Sequence, residues 1–123
     1  MRSLVTILAL FTILFSCTKE NEETLITTAV CKPYEGLDSV KFAEHIFPLI
    51  TTHCMPCHDT VQAQGGITLM TYDDISFQAT DGALLTSINQ TSGAIPMPKD
   101  REKLKECLIQ AIELWTSQGA LDN

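Results

Sequence analysis

Cys54-Met55-Pro56-Cys57-His58 places two thiols and an imidazole within five residues. On one helical turn, positions 54 and 57 stand at i and i+3 and position 58 at i+4, so the three side chains share a face. A fold containing this turn has to give that face something to hold. The segment ahead of it has helical spacing at Phe42, Ile46, Leu49 and Ile50, which argues against a buried strand. Pro48 lies inside this segment. The helix is therefore expected to start late, so that the missing proline N–H falls in its first turn.

C-x-x-C-H is the spacing of covalent c-type haem attachment, in which two thiols add across the haem vinyl groups and the adjacent imidazole reaches the iron. Three other readings use the same residues. A thioredoxin-like redox pair needs a βαβ setting, which the helical segment before Cys54 does not supply. A structural zinc site could draw on Cys54, Cys57, His58 and His53 or another cysteine, but no second knuckle with C-x-x-C or H-x-x-x-H spacing is present. A plain Cys54–Cys57 disulfide leaves His58 unexplained.

A haem iron needs a further axial ligand, and the candidates are Met97, Met70, Met55, His53 and His45. Met97 is the best placed. It sits in Gly93-Ala94-Ile95-Pro96-Met97-Pro98, where two prolines stiffen the backbone around a thioether and reduce the entropy lost on ligation. Met55 lies inside the attachment turn and would have to bend back on itself. Met70 follows Ile67-Thr68-Leu69 and suits packing against the porphyrin. His53 or His45 would give bis-histidine ligation, which stays open on these grounds.

The chain begins with Met1-Arg2 and an apolar run, Leu4 to Phe15, broken only by Thr6 and Thr12. That is shorter than the roughly 20 residues a membrane-spanning helix needs, so residues 1–16 read as a secretory signal, with a buried N-terminal helix as the alternative. Leu14-Phe15-Ser16-Cys17 resembles a bacterial lipobox, which implies a lipid on Cys17 and a membrane anchor. Thr18 to Thr24 is polar, without apolar periodicity, and residues 17–36 read as a flexible acidic tether. An acidic run at this place resembles a signal for display on the outer surface in some Gram-negative groups, so the anchor's face is periplasmic or external. With Cys17 assigned to lipid and Cys54 and Cys57 to haem, two of the five cysteines are left. In an oxidising compartment Cys31 and Cys107 are then expected to pair, two buried free thiols being the alternative.

Residues 37–123 are enough for one small domain and no more. A composition 45% hydrophobic and 19% charged is that of a globular protein, not a disordered one. The formal charge of −7 argues against a nucleic-acid partner, because phosphate binding relies on surplus Lys and Arg. Taken over the whole surface, it suggests a redox partner with a basic docking face.

Short helices separated by Gly- and Pro-marked loops give an all-α expectation. Gln64-Gly65-Gly66 reads as a loop and Ile67 to Met70 as extended chain beside the haem. Thr71 looks like an N-cap with Asp73 and Asp74 in the first turn, and Asp81 or Gly82 opens another helix through Leu84, Leu85 and Ile88. The last helix carries Leu104, Leu108, Ala111, Ile112 and Trp115 on one stripe, with Gly119 as its stop. The carboxylates are scattered, and no pair suggests acid–base catalysis.

Between Val40 and Ala120 the chain resembles small monohaem cytochrome c domains carried on bacterial lipoproteins. The resemblance rests on Ile46 and Pro48, the Cys54 to His58 turn, Gly66-Ile67-Thr68-Leu69 with Thr71-Tyr72, Met97-Pro98, Trp115 and Gly119-Ala120. It implies a cytochrome c-like fold of short helices wrapped around one covalent haem c. Thioether bonds to Cys54 and Cys57, His58 as proximal iron ligand and Met97 as distal ligand are implied with it. The function implied is electron carriage without enzymatic turnover. A haem-based sensor or peroxidase-like enzyme with a labile distal ligand, or a thiol-redox protein, are the competing expectations.

Overall fold

The computed structural model describes residues 29–123; the expected signal peptide at 1–16, the lipidation site Cys17 and tether positions 18–28 lie outside the described residues. A π-helical turn, Phe42–Ile46, runs directly into helix α1, Phe47–His53, and Cys54 links it to the single turn α2, Met55–His58. Helices α3, Tyr72–Thr80, α4, Ala83–Ile88, and α5, Glu106–Ser117, follow. Short 3-10 turns occupy Lys32–Tyr34 and Gln64–Gly66, and no strand occurs among the described residues. The protein is all-α over this range.

The π turn has a local cause in Pro48. Proline offers no N–H, and its ring crowds the carbonyl four residues back, so a regular α-helix running on from Phe42 would clash there. The ladder is instead wound one residue wider: the Ile46 N–H donates to the Lys41 carbonyl at 3.3 Å and the Phe47 N–H to that of Phe42. The α-helical part does start late, at Phe47, with proline in its first turn.

Trp115 is the centre of the core. It is fully buried, its indole N–H donates to the Leu121 carbonyl at 2.9 Å, and the Phe42 ring lies 5.6 Å away. Phe42 also meets Tyr72 edge-on at 5.1 Å. Leu108, Ile109, Ala111, Ile112 and Trp115 form the buried face of α5. The expected stripe is thus present, but Leu104 is not on the helix. Lys105 is extended (φ −59°, ψ 142°) and α5 begins at Glu106, which puts an acid at the positive helix end and leaves Leu104 in the preceding loop. After Ser117 the chain turns back through Gly119, at φ +94°, a conformation glycine adopts at little cost.

The C-terminal residues clasp the start of the domain. Gln118 Oε1 accepts the Val40 N–H at 3.1 Å, Asn123 Oδ1 accepts that of Phe42 at 2.8 Å, and the Asn123 carbonyl accepts that of Ala43 at 2.9 Å. Tyr72 Oη donates to the Ala120 carbonyl at 2.9 Å. The π turn's first donors are thereby satisfied from the other end of the domain.

Contacts with the core begin before residue 37, within the stretch expected to be tether. Val30, Tyr34 and Leu37 pack against the core, and Cys31 is bonded to Cys107 with Cα atoms 5.6 Å apart. Closing a loop of 76 residues stabilises a domain by up to about 4 kcal/mol in the chain-entropy account. The bond matters locally as well. Ordering backbone costs about 1–2 kcal/mol per residue, whereas full burial of a valine side chain returns about 1.5–3 kcal/mol. Val30 is only half-buried, so among the described residues the cross-link, more than this contact, holds residues 29–31 in place.

Thr71 caps α3 as the sequence suggests. Its Oγ1 accepts the Asp74 N–H at 3.2 Å, while Asp74 Oδ2 accepts the Thr71 N–H at 3.1 Å, forming a reciprocal capping box. The Thr71 hydroxyl is the main cause of an Asp74 carboxyl held below its usual value. A folded-state value below the unfolded one stabilises the native state above the ordinary carboxylate range, and this is lost as pH falls through the folded value. Thr71→Ala is expected to cost about 1 kcal/mol in urea unfolding at neutral pH. The difference from the parent should shrink in acid; a constant difference down to the pH where Asp74 is protonated would dissociate the cap from that carboxylate.

Candidate functional site

Cys54, Cys57 and His58 all border one cavity of about 450 Å³, within the roughly 300–1,000 Å³ typical of pockets that enclose a cofactor-sized ligand. Nearly every element contributes to its wall. Ile67 and Leu69 come from the extended segment after Gly66, Leu84 and Ile88 from α4, Leu108 from α5, and Met97 from the loop between them. The spacing of Leu84 and Ile88, one helical turn apart, puts both on one face of α4. These aliphatic side chains make an apolar chamber next to two thiols and an imidazole.

His58 is the only buried polar or charged residue among those described, at 8% exposure. Its position follows from the chain on either side. The Leu69 N–H donates to the His58 carbonyl at 2.8 Å, and His58 Nδ1 lies 3.2 Å from the Ile67 carbonyl oxygen. A carbonyl only accepts, so in the neutral ring that contact places the proton on Nδ1 and leaves a lone pair on Nε2. Nε2 has no hydrogen-bond partner among the described residues. A ligating histidine is oriented in this way, by an outer hydrogen bond that fixes ring and tautomer together. The returning chain is set by Asp59, whose Oδ1 accepts the N–H groups of Val61, at 2.8 Å, and Gln62.

Cys54 and Cys57 are free thiols, each half-buried. Burial pushes the Cys54 thiol up to about 12, with Cys57 beside it adding to the rise. A dithiol built for exchange chemistry has its nucleophile shifted the other way, towards thiolate at neutral pH. Among the described residues no three His, Cys, Asp or Glu side chains converge tightly enough to hold a metal ion. Cys54, Cys57 and His58 are spread along a wall rather than drawn to one point.

No family model, curated protein or solved structure matches this chain.

The structure divides the five candidate distal ligands into two groups. Met97 lines the cavity, and its backbone N–H donates to the Ser87 carbonyl at 3.0 Å, which fastens the loop to the end of α4. His53 also borders the cavity, but with an exposed side chain. The other three do not line it. Met55 packs on the core, Met70 is 37% exposed, and His45 Nδ1 accepts the Lys41 N–H at 3.1 Å.

Three features of the wall carry no signal in local sequence. Val30 reaches it from before the expected domain start, and Leu104 reaches it because it lies outside α5. Lys99, Arg101, Lys103 and Lys105 also border the cavity. With Arg2 and Lys19 outside the described residues, these are four of the six remaining Lys and Arg, whereas Glu102 is the only bordering carboxylate of twelve. Alternating signs through Lys99-Asp100-Arg101-Glu102-Lys103 conceal the bias along the chain; it emerges from which residues line the cavity.

Proposed function

We propose that this protein is a monohaem c-type cytochrome of cytochrome c-like fold that carries single electrons from an exported, lipid-anchored position. The observation that carries the reading is His58: buried, locked through Nδ1 to the Ile67 carbonyl, with its second nitrogen unpaired among the described residues, and bordering the same apolar cavity as Cys54, Cys57 and Met97. Haem bound there supplies an iron that alternates between ferric and ferrous states. The residues present fit it. Cys54 and Cys57 would hold the group covalently, and His58 Nε2 and the Met97 thioether would be its iron ligands. Leu69, Leu84, Ile88 and Leu108 would keep water from the macrocycle, and an apolar His/Met site favours the ferrous form and raises the potential. If two of the chain's own side chains served as iron ligands, a carrier would fit better than an enzyme that needs an open coordination site.

The test is the visible spectrum, oxidised and dithionite-reduced, of the chain exported from a host with c-type haem maturation machinery, followed by denaturing electrophoresis with haem stain. A sharp reduced α-band and a stain that survives denaturation are expected. A colourless chain under these conditions would overturn the reading and return the thiol-redox and zinc alternatives to the front. Rapid carbon monoxide binding by the untreated ferrous protein would instead favour the sensor or peroxidase class, with a labile distal ligand.

The partner's charge follows the cavity border rather than the net charge. Lys99, Arg101, Lys103 and Lys105 stand there with Glu102 as the one bordering carboxylate among the described residues, four positive charges to one negative. Such a dipole turns the cavity edge towards an acidic docking face, the opposite of what −7 taken as a whole suggests. Lys103→Glu with Lys105→Glu is expected to slow electron transfer from an acidic redox protein by about tenfold at low salt, with the gap closing towards 1 M salt. A salt-independent rate, or a faster one in the variant, would reverse the assignment.

A further inference from the structure

We infer that the Cys31–Cys107 bond pins a cavity wall, keeping residues 29–31 closed over the chamber next to His58. The inference rests on the cytochrome reading for its consequence, and on geometry alone for the wall. Val30, directly before Cys31, and Leu108, directly after Cys107, both border the cavity, so the bond joins two pieces of its lining at neighbouring positions. Among the described residues no hydrogen bond connects residues 29–31 with α5 or with the other walls. Downstream the chain is better secured: Tyr34 Oη donates to the His45 carbonyl at 3.4 Å and Leu37 packs on the core. The segment is therefore a strap with one end held by packing and the other by the cystine. Without the bond, the half-buried Val30 is the one core contact that residues 29–31 keep among the described residues. Opening it admits water to the apolar chamber, which lowers the potential of an enclosed iron and exposes the distal ligand to competitors.

The strap is tested on the full-length, haem-loaded chain with the double variant Cys31→Ser/Cys107→Ser. A second variant, Val30→Ser, leaves the disulfide intact. Both are measured well below their unfolding temperatures, after the reduced α-band has shown that haem is bound. Cyanide association with the ferric protein is expected to quicken by about tenfold in the double variant, the effect of a tenfold larger open population, and the midpoint potential to fall. Val30→Ser should move both in the same direction. Gln118→Ala removes hydrogen bonds to Val40 and Asp38 that do not border the cavity and should move neither, so general loosening is separated from opening of the wall. Haem-loaded variants that both keep the parent's cyanide rate and potential would overturn the strap and leave the cytochrome reading standing. A chain that never acquires haem overturns that reading instead, and the strap's consequence with it.

Discussion

Changing Cys54 and Cys57 together to serine is expected to leave no haem on the chain after denaturing electrophoresis and to remove most of its helical circular dichroism. Serine cannot form the thioether, so the group is no longer held covalently. The second effect comes from the chamber left behind. Without the group, the apolar wall of Ile67, Leu69, Leu84, Ile88 and Leu108 is left facing a water-accessible cleft. A domain of this size has only about 5–15 kcal/mol of net stability. The empty chain would then lean on the disulfide's contribution of up to about 4 kcal/mol. A colourless double variant that kept the parent's full helical signal and unfolding midpoint would show that the core stands without the group and would move its seat elsewhere.

Met97→Ala is expected to have the largest effect that leaves haem attached. Cys54, Cys57 and His58 remain, so the stain should persist, while the distal position is open or held by water. The ferric spectrum should become high-spin, and the potential should fall on the order of 0.1 V, a modest part of the roughly 0.8 V that axial ligands span. Carbon monoxide should then bind the ferrous protein without delay. His53 provides the internal comparison, because it is the other candidate at the cavity edge. If Met97→Ala left spectrum and potential unchanged and His53→Ala altered both, ligation would be bis-histidine and the resting potential correspondingly low.

What could be read from the sequence was what depends on neighbours in sequence. The Cys54–His58 turn, the Thr71 cap and the α5 stripe each involve side chains within one or two helical turns, where spacing fixes the shared face. That Met97 stands in a loop bordering the cavity was legible for a related reason, since its flanking prolines announce a stiff loop. The π turn was only half legible. Pro48 signals an interruption, but whether the chain breaks or rewinds one residue wider depends on Phe42 finding Tyr72 and Trp115 to pack against. Leu104 fits the α5 period in sequence and still lies outside the helix, because periodicity does not say where the first turn begins. The border cations were hidden for the opposite reason. Net charge sums over a surface, whereas docking and steering respond to where charge stands, and Lys99 to Lys105 acquire their meaning only from the chamber they border.

The clasp between the C-terminal residues and the π turn imposes an order of events on the chain as it is made. The Phe42 and Ala43 N–H groups have their acceptors on Asn123, some eighty residues later, and Val40 depends on Gln118. Until those residues emerge, the first helix has no lid and α5 cannot bring Trp115 into the core, so the domain stays open. If the chain is exported N-terminus first, as the proposed function requires, those residues also arrive last, and until they do Cys54 and Cys57 are not yet shielded by the walls that later half-bury them. Closure at the far end of the chain thus sets a window for thiol chemistry at its middle.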